Sequence, residues 1–478
     1  MTDDGRSTSL PDYLNHWVAT QRWFADKGRI PRLVSIGSWV LPTEEADVHI
    51  RTELVFDAAA PTRTLYQLPL TQRSTPLPGG EQALIVAFAD ESAIYDGTGD
   101  PAYGRALLAF ILDQASSPEP ENIGARARGE LLPGADPAWQ PARVLASRVV
   151  SGEQSNTSII LDCVDNAGRP ARPVICKVFR MLHPGDNPDV SVQSALAGAG
   201  SHFVPEPVGC VVGAWTDPDQ PPATLTGHLV FAQEFLPGAP DAWRSALSSA
   251  GAGEDFSEQA RALGEATAAV HADLATVMPT HDATAAHIAA ELDRMRERYR
   301  SAAVEVPALA GYDTAVEAVF ARAATAHWPR LQRIHGDFHL GQVLEVPGRG
   351  WVLVDFEGEP LRPLVDRTQP DVALKDIAGM LRSFSYVAGT VERSSPGHQT
   401  ALTEAWAAAC RQAFLDGYEA RSGQSLAGQE SLLDALELDK ALYEAVYETR
   451  NRPSWLPIPL AAIRGLALAV SAGVPQRP

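Results

Sequence analysis

Apolar residues in the first quarter of the chain follow two different repeats. Residues 8–28 place apolar side chains at near-helical spacing and predict an amphipathic helix that ends near residues 26–28. Its apolar face is formed by Leu10, Tyr13, Leu14, Trp17, Val18 and Trp23. Alternating runs then occupy residues 33–36, 48–55, 64–70 and 83–88, before a predicted helix at 101–114. Pro, Gly and Asp separate these runs, as in an antiparallel sheet, so this part predicts a β-rich domain.

Beyond residue 114 the composition and the predicted secondary structure of the chain change twice. Residues 115–140 are rich in Pro, Gly, Ala and Glu, which predicts a linker and a domain boundary. Strand-like runs follow, and amphipathic helices are predicted from residue 241 onward, at residues 256–275, 285–299 and 314–327. The predicted domains are an N-terminal domain at 1–140, a second domain at 141–236 and a helical domain at 237–478.

Two carboxylates mark one stretch, residues 332–360, which reads QRIHGDFHLGQVLEVPGRGWVLVDFEGEP. Asp337 precedes a strand-like run, and Asp355 ends a second run of β-branched and aromatic residues. A Pro-Gly-Arg-Gly turn separates the runs, so we predict loop, strand, turn and strand with an acid at each end. This arrangement suits phosphoryl transfer, in which one acid accepts the proton of the attacking hydroxyl and another holds Mg²⁺ on the nucleotide phosphates.

The spacing within this stretch favours the same chemistry. Kinases of this type place a metal-holding amide five residues after the catalytic Asp, and an Asp-Phe pair beyond it. Gln342 lies five residues after Asp337, and Asp355 precedes Phe356. We therefore expect Asp337 to be the general base, and Gln342 and Asp355 to hold Mg²⁺. A hairpin with Asp caps and a satisfied His335 would explain an isolated His-Gly-Asp, but not both motifs in one span.

A polar turn and a lysine in the second domain predict nucleotide binding. Backbone N–H groups of the turn SGEQSNTS could face phosphates. Its candidate residues are Ser151, Gln154, Ser155, Asn156 and Thr157. The turn lacks G-x-G-x-x-G, so taken alone an ordinary hairpin turn explains it better. Lys177 lies mid-strand among apolar neighbours, where a nucleotide phosphate would offset the cost of burying its charge; the alternative is an edge-strand lysine in solvent.

A strand that ends in Gln233, Glu234 and Phe235 precedes a Pro-Gly break, where a hinge between lobes is expected. Backbone groups of these three residues would meet the adenine edge. Farther along, Asp376 has two equally good interpretations. It either accepts hydrogen bonds from the catalytic loop or is a helix N-terminal acid in an ion pair with Arg382.

The last informative stretch, residues 436–463, combines charges with an aromatic residue. Acidic, basic and tyrosine side chains recur at three- and four-residue steps of one predicted helix, at Glu437, Lys440, Glu444, Tyr447 and Glu448. Sugar sites combine carboxylates for hydroxyls with an aromatic plane for the ring. Glu444, Glu448 and Trp455 offer that set, and a carboxylate also suits an ammonium group. The alternative is a solvated charged helix with Trp455 in the core.

Several of these motifs resemble one family. The segments HGDFHLGQVL, LVDFEGEP and GEQSNTS and the Lys-Val-Phe-Arg strand are similar to the actinobacterial maltokinases and glucosamine kinases, relatives of the aminoglycoside phosphotransferases. The resemblance extends over nearly the whole chain. It implies an α+β, two-lobe protein-kinase-like fold with an N-terminal β-rich cap domain, and ATP and Mg²⁺ as cofactors. The implied substrate-binding residues are Asp337, His339, Glu357, Arg382, Glu444, Glu448, Arg452 and Trp455.

The resemblance also bears on two buried positions. The pattern L-G-x-x-x-A-x-x-H is shared with this superfamily, and we interpret its histidine, His271, as a satisfied core residue. The helix that begins near Pro188 would be expected to carry an acid as partner of Lys177. Its sequence VSVQSALAGAG has none, which leaves Asp189 at the helix start. Asp189 either pairs with Lys177 or caps the helix.

The acceptor is left open between two sugars. LYQLPLTQRSTPL and IYDGTGDPAY resemble the glucosamine kinases more than the maltokinases, and Glu444 and Glu448 suit an amine. We therefore favour phosphorylation of glucosamine to glucosamine 6-phosphate, with maltose to maltose 1-phosphate as the alternative. A pseudokinase without turnover and an aminoglycoside phosphotransferase with a wide acidic cleft are further alternatives.

Composition limits the partners and the compartment. The 478 residues carry 59 acidic and 39 basic side chains, a formal charge of −20, which argues against nucleic acid or an anionic membrane as partner. Four cysteines without metal-site spacing fit reduced thiols in a cytoplasmic enzyme. No secretion signal and no membrane-spanning run are expected. The partners are then a small-molecule sugar and a nucleotide, and the oligomeric state stays open.

Overall fold

The chain forms two units with different secondary structure. The computed structural model describes residues 9–60, 63–119, 125–134, 143–150, 155–217, 219–359, 362–394 and 400–472. One unit comprises Met1–Gly198 and Pro205–Pro237 and is built mainly on two sheets. The other comprises Ala199–Val204 and Gly238–Pro478 and is mainly helical. Among the described residues, no helix is long and apolar enough to cross a membrane.

The first sheet of the sheet-rich unit is antiparallel, as its alternating sequence predicts. Its strands are β1 (Leu33–Leu41), β2 (Val48–Asp57), β3 (Leu65–Arg73), β4 (Leu84–Ala87) and β5 (Ala93–Asp96), in the order β1-β2-β3-β5-β4. Two helices belong to this part of the chain, α1 (Leu10–Thr20) and α2 (Pro101–Leu112). Apolar residues of α1 and the sheet, among them Val18, Leu68 and Ile94, form one buried cluster.

The second sheet carries the predicted nucleotide elements. Its strands are β6 (Arg126–Leu131), β7 (Arg143–Val149), β8 (Asn156–Val164), β9 (Val174–Phe179), β11 (Pro207–Thr216) and β12 (Thr224–Glu234), in the order β6-β11-β12-β9-β8-β7. The short strand β10 (Met181–Leu182) pairs with β3 of the first sheet, and helix α3 (Pro188–Gly198) follows it. Because β9 lies between β8 and β12, Lys177 is on an interior strand, and the edge-strand interpretation is wrong.

Two expectations from the sequence need correction in this unit. Helix α1 ends at Thr20, several residues before the predicted end, because Trp23 and Phe24 leave the helix to pack on the ring of Tyr66. The predicted linker contains β6, whose residues are mostly polar because only alternate side chains of this edge strand are buried. Composition alone therefore hid a strand that pairs with β11.

The helical unit surrounds one short hairpin. Its helices are α4 (Ala242–Ala252), α5 (Ser257–Val277), α6 (Ala285–Glu305), α7 (Asp313–Ala324), α8 (Leu364–Arg367), α9 (Leu374–Ser394), α10 (Thr400–Ser422), α11 (Glu430–Asn451) and α12 (Pro457–Ala472). The hairpin strands are β13 (Val343–Val346) and β14 (Gly350–Leu353), as the stretch around the Pro-Gly-Arg-Gly turn predicts. Helices α9 and α11 pack against each other, and the loop that bears Asp337 runs along α9.

Candidate active site

The hairpin brings the two predicted metal ligands together. Its register pairs Val343 with Leu353, so the residue before β13 meets the segment after β14. Gln342 Nε2 donates to Asp355 Oδ2 at 2.9 Å, and the Gln342 carbonyl accepts from Val354 N at 3.0 Å. Asp355 adopts φ 67°, an uncommon backbone conformation for a residue with a side chain, which often marks a functional position. The pair offers amide and carboxylate oxygens, which Mg²⁺ prefers.

A buried carboxylate below the loop fixes its backbone. Asp376, near the start of α9, accepts from His335 N at 2.8 Å and from Gly336 N at 2.9 Å. Its Oδ2 also lies 3.0 Å from His271 Nε2. Burial raises the pKa of Asp376, but its hydrogen bond and charge interaction with His271 outweigh burial and leave the pKa below its ordinary value. The interpretation that Asp376 orients the catalytic loop is therefore confirmed by the hydrogen bonds.

Histidines 271 and 335 support the loop from inside. His271 is buried, and its Nδ1 lies 3.1 Å from the Tyr418 hydroxyl, as expected for a satisfied core residue. His335 Nε2 lies 2.9 Å from the Val354 carbonyl, which ties the loop to the end of β14. Helix α9 also packs closely on this loop at Gly379, where an added Cβ would lie 2.5 Å from the Phe338 carbonyl oxygen. Only glycine lets the helix approach the loop this closely.

Asp337 itself contacts a lysine that the sequence interpretation left out of the site. Lys440 Nζ of α11 lies 3.2 Å from Asp337 Oδ1 and 2.6 Å from Glu359 Oε1. Burial raises the pKa of Asp337, but the ammonium of Lys440 and the imidazoles of His339 and His335 outweigh burial and lower the pKa below its ordinary value. Asp337 is therefore ionised at neutral pH, as a general base must be.

A cavity of about 300 Å³ opens beside the loop. The predicted residues His339, Glu444, Glu448, Arg452 and Trp455 all line it. The sequence interpretation missed the other lining side chains, which are Trp243, Ser383, Tyr386, Lys440, Tyr443 and Tyr447. A signal for two of them existed, because Lys440 and Tyr447 share the three- and four-residue spacing of Glu444 and Glu448. Glu437, from the same repeat, is instead buried against Arg411.

Both glutamates of the cavity already have arginine partners. Arg382 donates to Glu444 Oε2 from Nη2 at 2.7 Å and from Nε at 3.0 Å. Arg452 forms a two-bond pair with Glu448 at 2.6 and 2.9 Å. Burial raises the pKa of Glu444 despite the opposing charge of Arg382. An acceptor ammonium would therefore have to share these carboxylates with guanidinium groups, which the sequence did not show.

Aromatic rings provide the apolar surface of the cavity. Tyr386 and Trp455 are stacked, with ring centroids 6.4 Å apart and an interplanar angle of 21°. The Arg452 guanidinium lies 4.7 Å from the Trp455 ring centroid, and the Tyr386 hydroxyl donates to Glu448 at 3.2 Å. A ring face next to carboxylates and arginines is the combination that binds sugars. Trp455 lines this cavity and is half-buried, so the core interpretation of this residue is wrong.

The predicted nucleotide residues lie in the sheet-rich unit. Lys177 Nζ lies 3.0 Å from Asp189 Oδ2, which identifies the acid partner that the sequence left open. Gln193 Nε2 donates to Asp189 Oδ1 at 2.5 Å and holds the buried carboxylate. Ser151 and Gln154 lie outside the described residues. Ser155 precedes β8, which begins with Asn156 and Thr157, and Gln233, Glu234 and Phe235 lie at the end of β12. Glu357 is half-buried two residues beyond Asp355.

These features together define a class of protein. An interior strand with a lysine–aspartate pair, a His-Gly-Asp loop anchored on a helix, and an Asp-Phe pair after a hairpin are the parts of a protein-kinase-like phosphotransferase. The model of the maltokinase N-terminal cap domain matches residues 17–100. The model of the phosphotransferase enzyme family matches residues 190–423.

Individual relatives narrow the class. A glucosamine kinase from Streptacidiphilus jiangxiensis is 32% identical over 66% of this chain and 73% of that protein. A second one, from Mycolicibacterium smegmatis, is 29% identical over 69% of this chain and 82% of that protein. A solved glucosamine kinase in complex with glucosamine, ADP and inorganic phosphate shares the fold, with a TM-score of 0.62, 23% identity and coverage of 95% and 98% of the two chains. The chain belongs to the actinobacterial glucosamine kinase and maltokinase-like family of phosphotransferases, and the predicted fold and enzyme class are confirmed.

Proposed function

We propose that this chain is an ATP-dependent glucosamine kinase that forms glucosamine 6-phosphate. One observation carries the proposal: the loop that bears Asp337 supplies His339 and Gly341 to the wall of a cavity that also holds Glu444, Glu448 and Trp455. A general base next to a cavity with ring-stacking and charged hydrogen-bonding groups fits a sugar acceptor. The two curated relatives, both named glucosamine kinases, support the amino sugar as that acceptor.

In the proposed reaction Asp337 accepts the proton of the acceptor hydroxyl as its oxygen attacks the γ-phosphorus of ATP. The bond from that phosphorus to the bridging oxygen breaks, and ADP leaves. The loop anchored by Asp376 holds the base in place, so catalysis is mostly positioning and charge neutralisation. Lys177, held by Asp189, would steady the nucleotide phosphates with the turn at Ser151, Gln154, Ser155, Asn156 and Thr157. Backbone groups of residues 233–235 would meet the adenine.

Gln342 and Asp355 fit Mg²⁺. The donor set consists of an amide and a carboxylate, both oxygen ligands of the kind that Mg²⁺ selects, and their mutual hydrogen bond orients both side chains. Glu357 is a further carboxylate two residues on, available to the metal or the sugar. When bound, the ion would neutralise charge on the phosphates. The protein residues supply the rest, namely the base, the cavity wall and the nucleotide contacts.

Phosphorylation of maltose is the second candidate. The match of residues 17–100 to the maltokinase cap model favours it. The arginine partners of Glu444 and Glu448 favour it too, because they weaken the case for an ammonium at those carboxylates.

The domain limits and the compartment also belong to this proposal. We keep a cap domain, a nucleotide-binding lobe and a helical acceptor lobe, with the last boundary near residue 237. Because β6 pairs with β11, we propose to place the first boundary before β6. A cytoplasmic location is supported by the four cysteines, which are buried and free, with thiols whose pKa burial raises.

ATP consumption with Mg²⁺ tests the function directly. Glucosamine, maltose and N-acetylglucosamine are assayed in parallel, with Asp337→Asn as the inactive control and product analysis for the phosphorylated position. We expect turnover of glucosamine at the 6-hydroxyl, and a loss of about 10²- to 10⁴-fold in the variant because the general base is removed. Turnover of maltose alone would replace the proposal with the second candidate. Nucleotide binding without turnover of any sugar would favour a pseudokinase.

A further inference from the structure

Lys440 occupies an unusual position between the acceptor cavity and the predicted base. It projects from the middle of α11, and its side chain is 21% exposed. The ammonium contacts Asp337 Oδ1 at 3.2 Å and Glu359 Oε1 at 2.6 Å, and lies 5.2 Å from the Tyr443 ring centroid. Lys440 also lines the 300 Å³ cavity and a second cavity of about 170 Å³.

The two carboxylates come from different segments, which gives the lysine a mechanical role. Asp337 belongs to the catalytic loop, whereas Glu359 follows the Asp355-Phe356 pair by a few residues. A single ammonium that bonds to both carboxylates restrains the rotation of each, because turning either carboxylate away breaks a charge-assisted hydrogen bond. The carboxylate of Asp337 is then held in one orientation, with its second oxygen left to accept the hydroxyl proton.

We propose that Lys440 is a positioning residue, which clamps Asp337 to Glu359 next to the acceptor cavity. The role of the clamp rests on the proposed function, in which Asp337 is the general base. The clamp does not depend on which sugar is the acceptor, since any hydroxyl that reaches Asp337 meets the same ion pair.

Substitutions on one helix test the clamp. Lys440→Met removes the charge, Lys440→Arg keeps it, and Arg450→Met removes a cation of the same helix that pairs at the surface with Glu305. We expect Lys440→Met to lower kcat at least tenfold with an unchanged KM for ATP, and Lys440→Arg to recover part of the loss. The acid limb of its kcat/KM profile should move to higher pH, because Asp337 loses the ammonium that lowers its pKa. Arg450→Met should match the wild type.

A purely structural lysine would lower the stability of Lys440→Met but would not move the acid limb.

If the wild-type enzyme turns over no sugar, the proposed function is overturned, but the clamp can still be tested. The test is then the pKa of the Asp337 carboxyl, which needs no turnover. Titration of the Asp337 carboxyl, observed by ¹³C NMR and assigned with Asp337→Asn, should show a higher pKa in Lys440→Met than in the wild type. Equal pKa values would overturn the clamp.

Discussion

One buried carboxylate, that of Asp376, holds the loop that bears Asp337 in its shape. Asp376 binds two adjacent backbone N–H groups of the loop and the imidazole of His271, so the loop and α5 both meet this one side chain of α9. A buried N–H group without an acceptor costs about 1–3 kcal/mol, and the loop would shift to avoid that cost. The position of Asp337 therefore depends on a residue that never touches the acceptor.

We expect Asp376→Asn to lower kcat at least tenfold and to lower the free energy of unfolding by about 1–3 kcal/mol. The amide has one oxygen and cannot accept all the hydrogen bonds that the carboxylate accepts. Steady-state kinetics and urea unfolding measure both effects. Asp416→Asn, at an exposed pair with Arg261, is the control and should change neither quantity. Wild-type kcat in Asp376→Asn would show that the loop holds its shape without this anchor.

At the scale of residues, the sequence indicated candidate site residues but not most of their contacts. Asp337, Gln342 and Asp355 were identifiable because their spacing is tied to one reaction. Lys440 shares the helical spacing of Glu444, but its contact with Asp337 was not identifiable, since a lysine on a charged helix face is ordinary until the partner segments are known. The arginine partner of Glu444 escaped notice for a related reason, whereas Arg452 lies four residues after Glu448, a spacing that the sequence does show. Arg382 lies on α9, and no local spacing connects it with α11.

Among the elements of the sheet-rich unit, the segment from β9 to β10 connects the predicted nucleotide-binding strands to the first sheet, that of the cap. Arg180 lies between the two strands with a fully buried side chain. It donates to Asp96 at 2.6 Å, to Thr98 at 2.9 Å and to Thr157 at the start of β8 at 2.8 Å, and its guanidinium lies 5.1 Å from the Trp23 ring centroid. The cap residues thus help to hold β8, the strand that begins with the predicted nucleotide-binding residues Asn156 and Thr157.

We expect Arg180→Met to lower the free energy of unfolding by about 3–5 kcal/mol, because it leaves Asp96 without its buried partner. The KM for ATP should rise while the KM for the sugar stays unchanged, since Thr157 borders the nucleotide turn. Chemical unfolding and two-substrate kinetics measure these changes. Arg172→Met, which removes an exposed cation paired with Glu206, should stay within about 0.5 kcal/mol of the wild type. Equal rises in both KM values would contradict a role confined to the nucleotide end.

The elements that the sequence predicted well are those with strong local signals. The β13–β14 hairpin has alternating apolar residues and a Pro-Gly turn, and both were visible. The predictions for the end of α1 and for the segment that forms β6 were wrong because tertiary packing decides both. In the sequence, Trp23 continues the helical repeat. In the structure, it lies beyond the end of α1, where its ring packs on the ring of Tyr66. Strand β6 is held by pairing with β11, which is distant along the chain.

For the whole molecule, buried carboxylates with lowered pKa values tie stability to pH. In the sheet-rich unit, burial raises the pKa of Asp100, but its two hydrogen bonds with Arg73 outweigh burial. In the helical unit, burial raises the pKa of Glu291, but Lys375 at 2.6 Å and Arg294 lower it to about 2. A carboxyl whose pKa is lower in the folded chain stabilises the fold above its unfolded pKa, and this stabilisation is lost as the pH falls through the folded value.

We therefore expect the urea midpoint to fall most steeply below about pH 4.5, since the ordinary pKa values of these groups are 3.8 for Asp and 4.5 for Glu. Glu291→Gln should be less stable at neutral pH and should lose less stability between about pH 4.5 and 2 than the wild type, because it no longer takes up that proton on unfolding. Glu297→Gln, on the same helix at an exposed pair with Arg300, should follow the wild-type curve. Parallel curves for Glu291→Gln and the wild type would show that Glu291 does not carry the acid sensitivity, and that other carboxyls with lowered pKa values, such as Asp100 and Asp376, do.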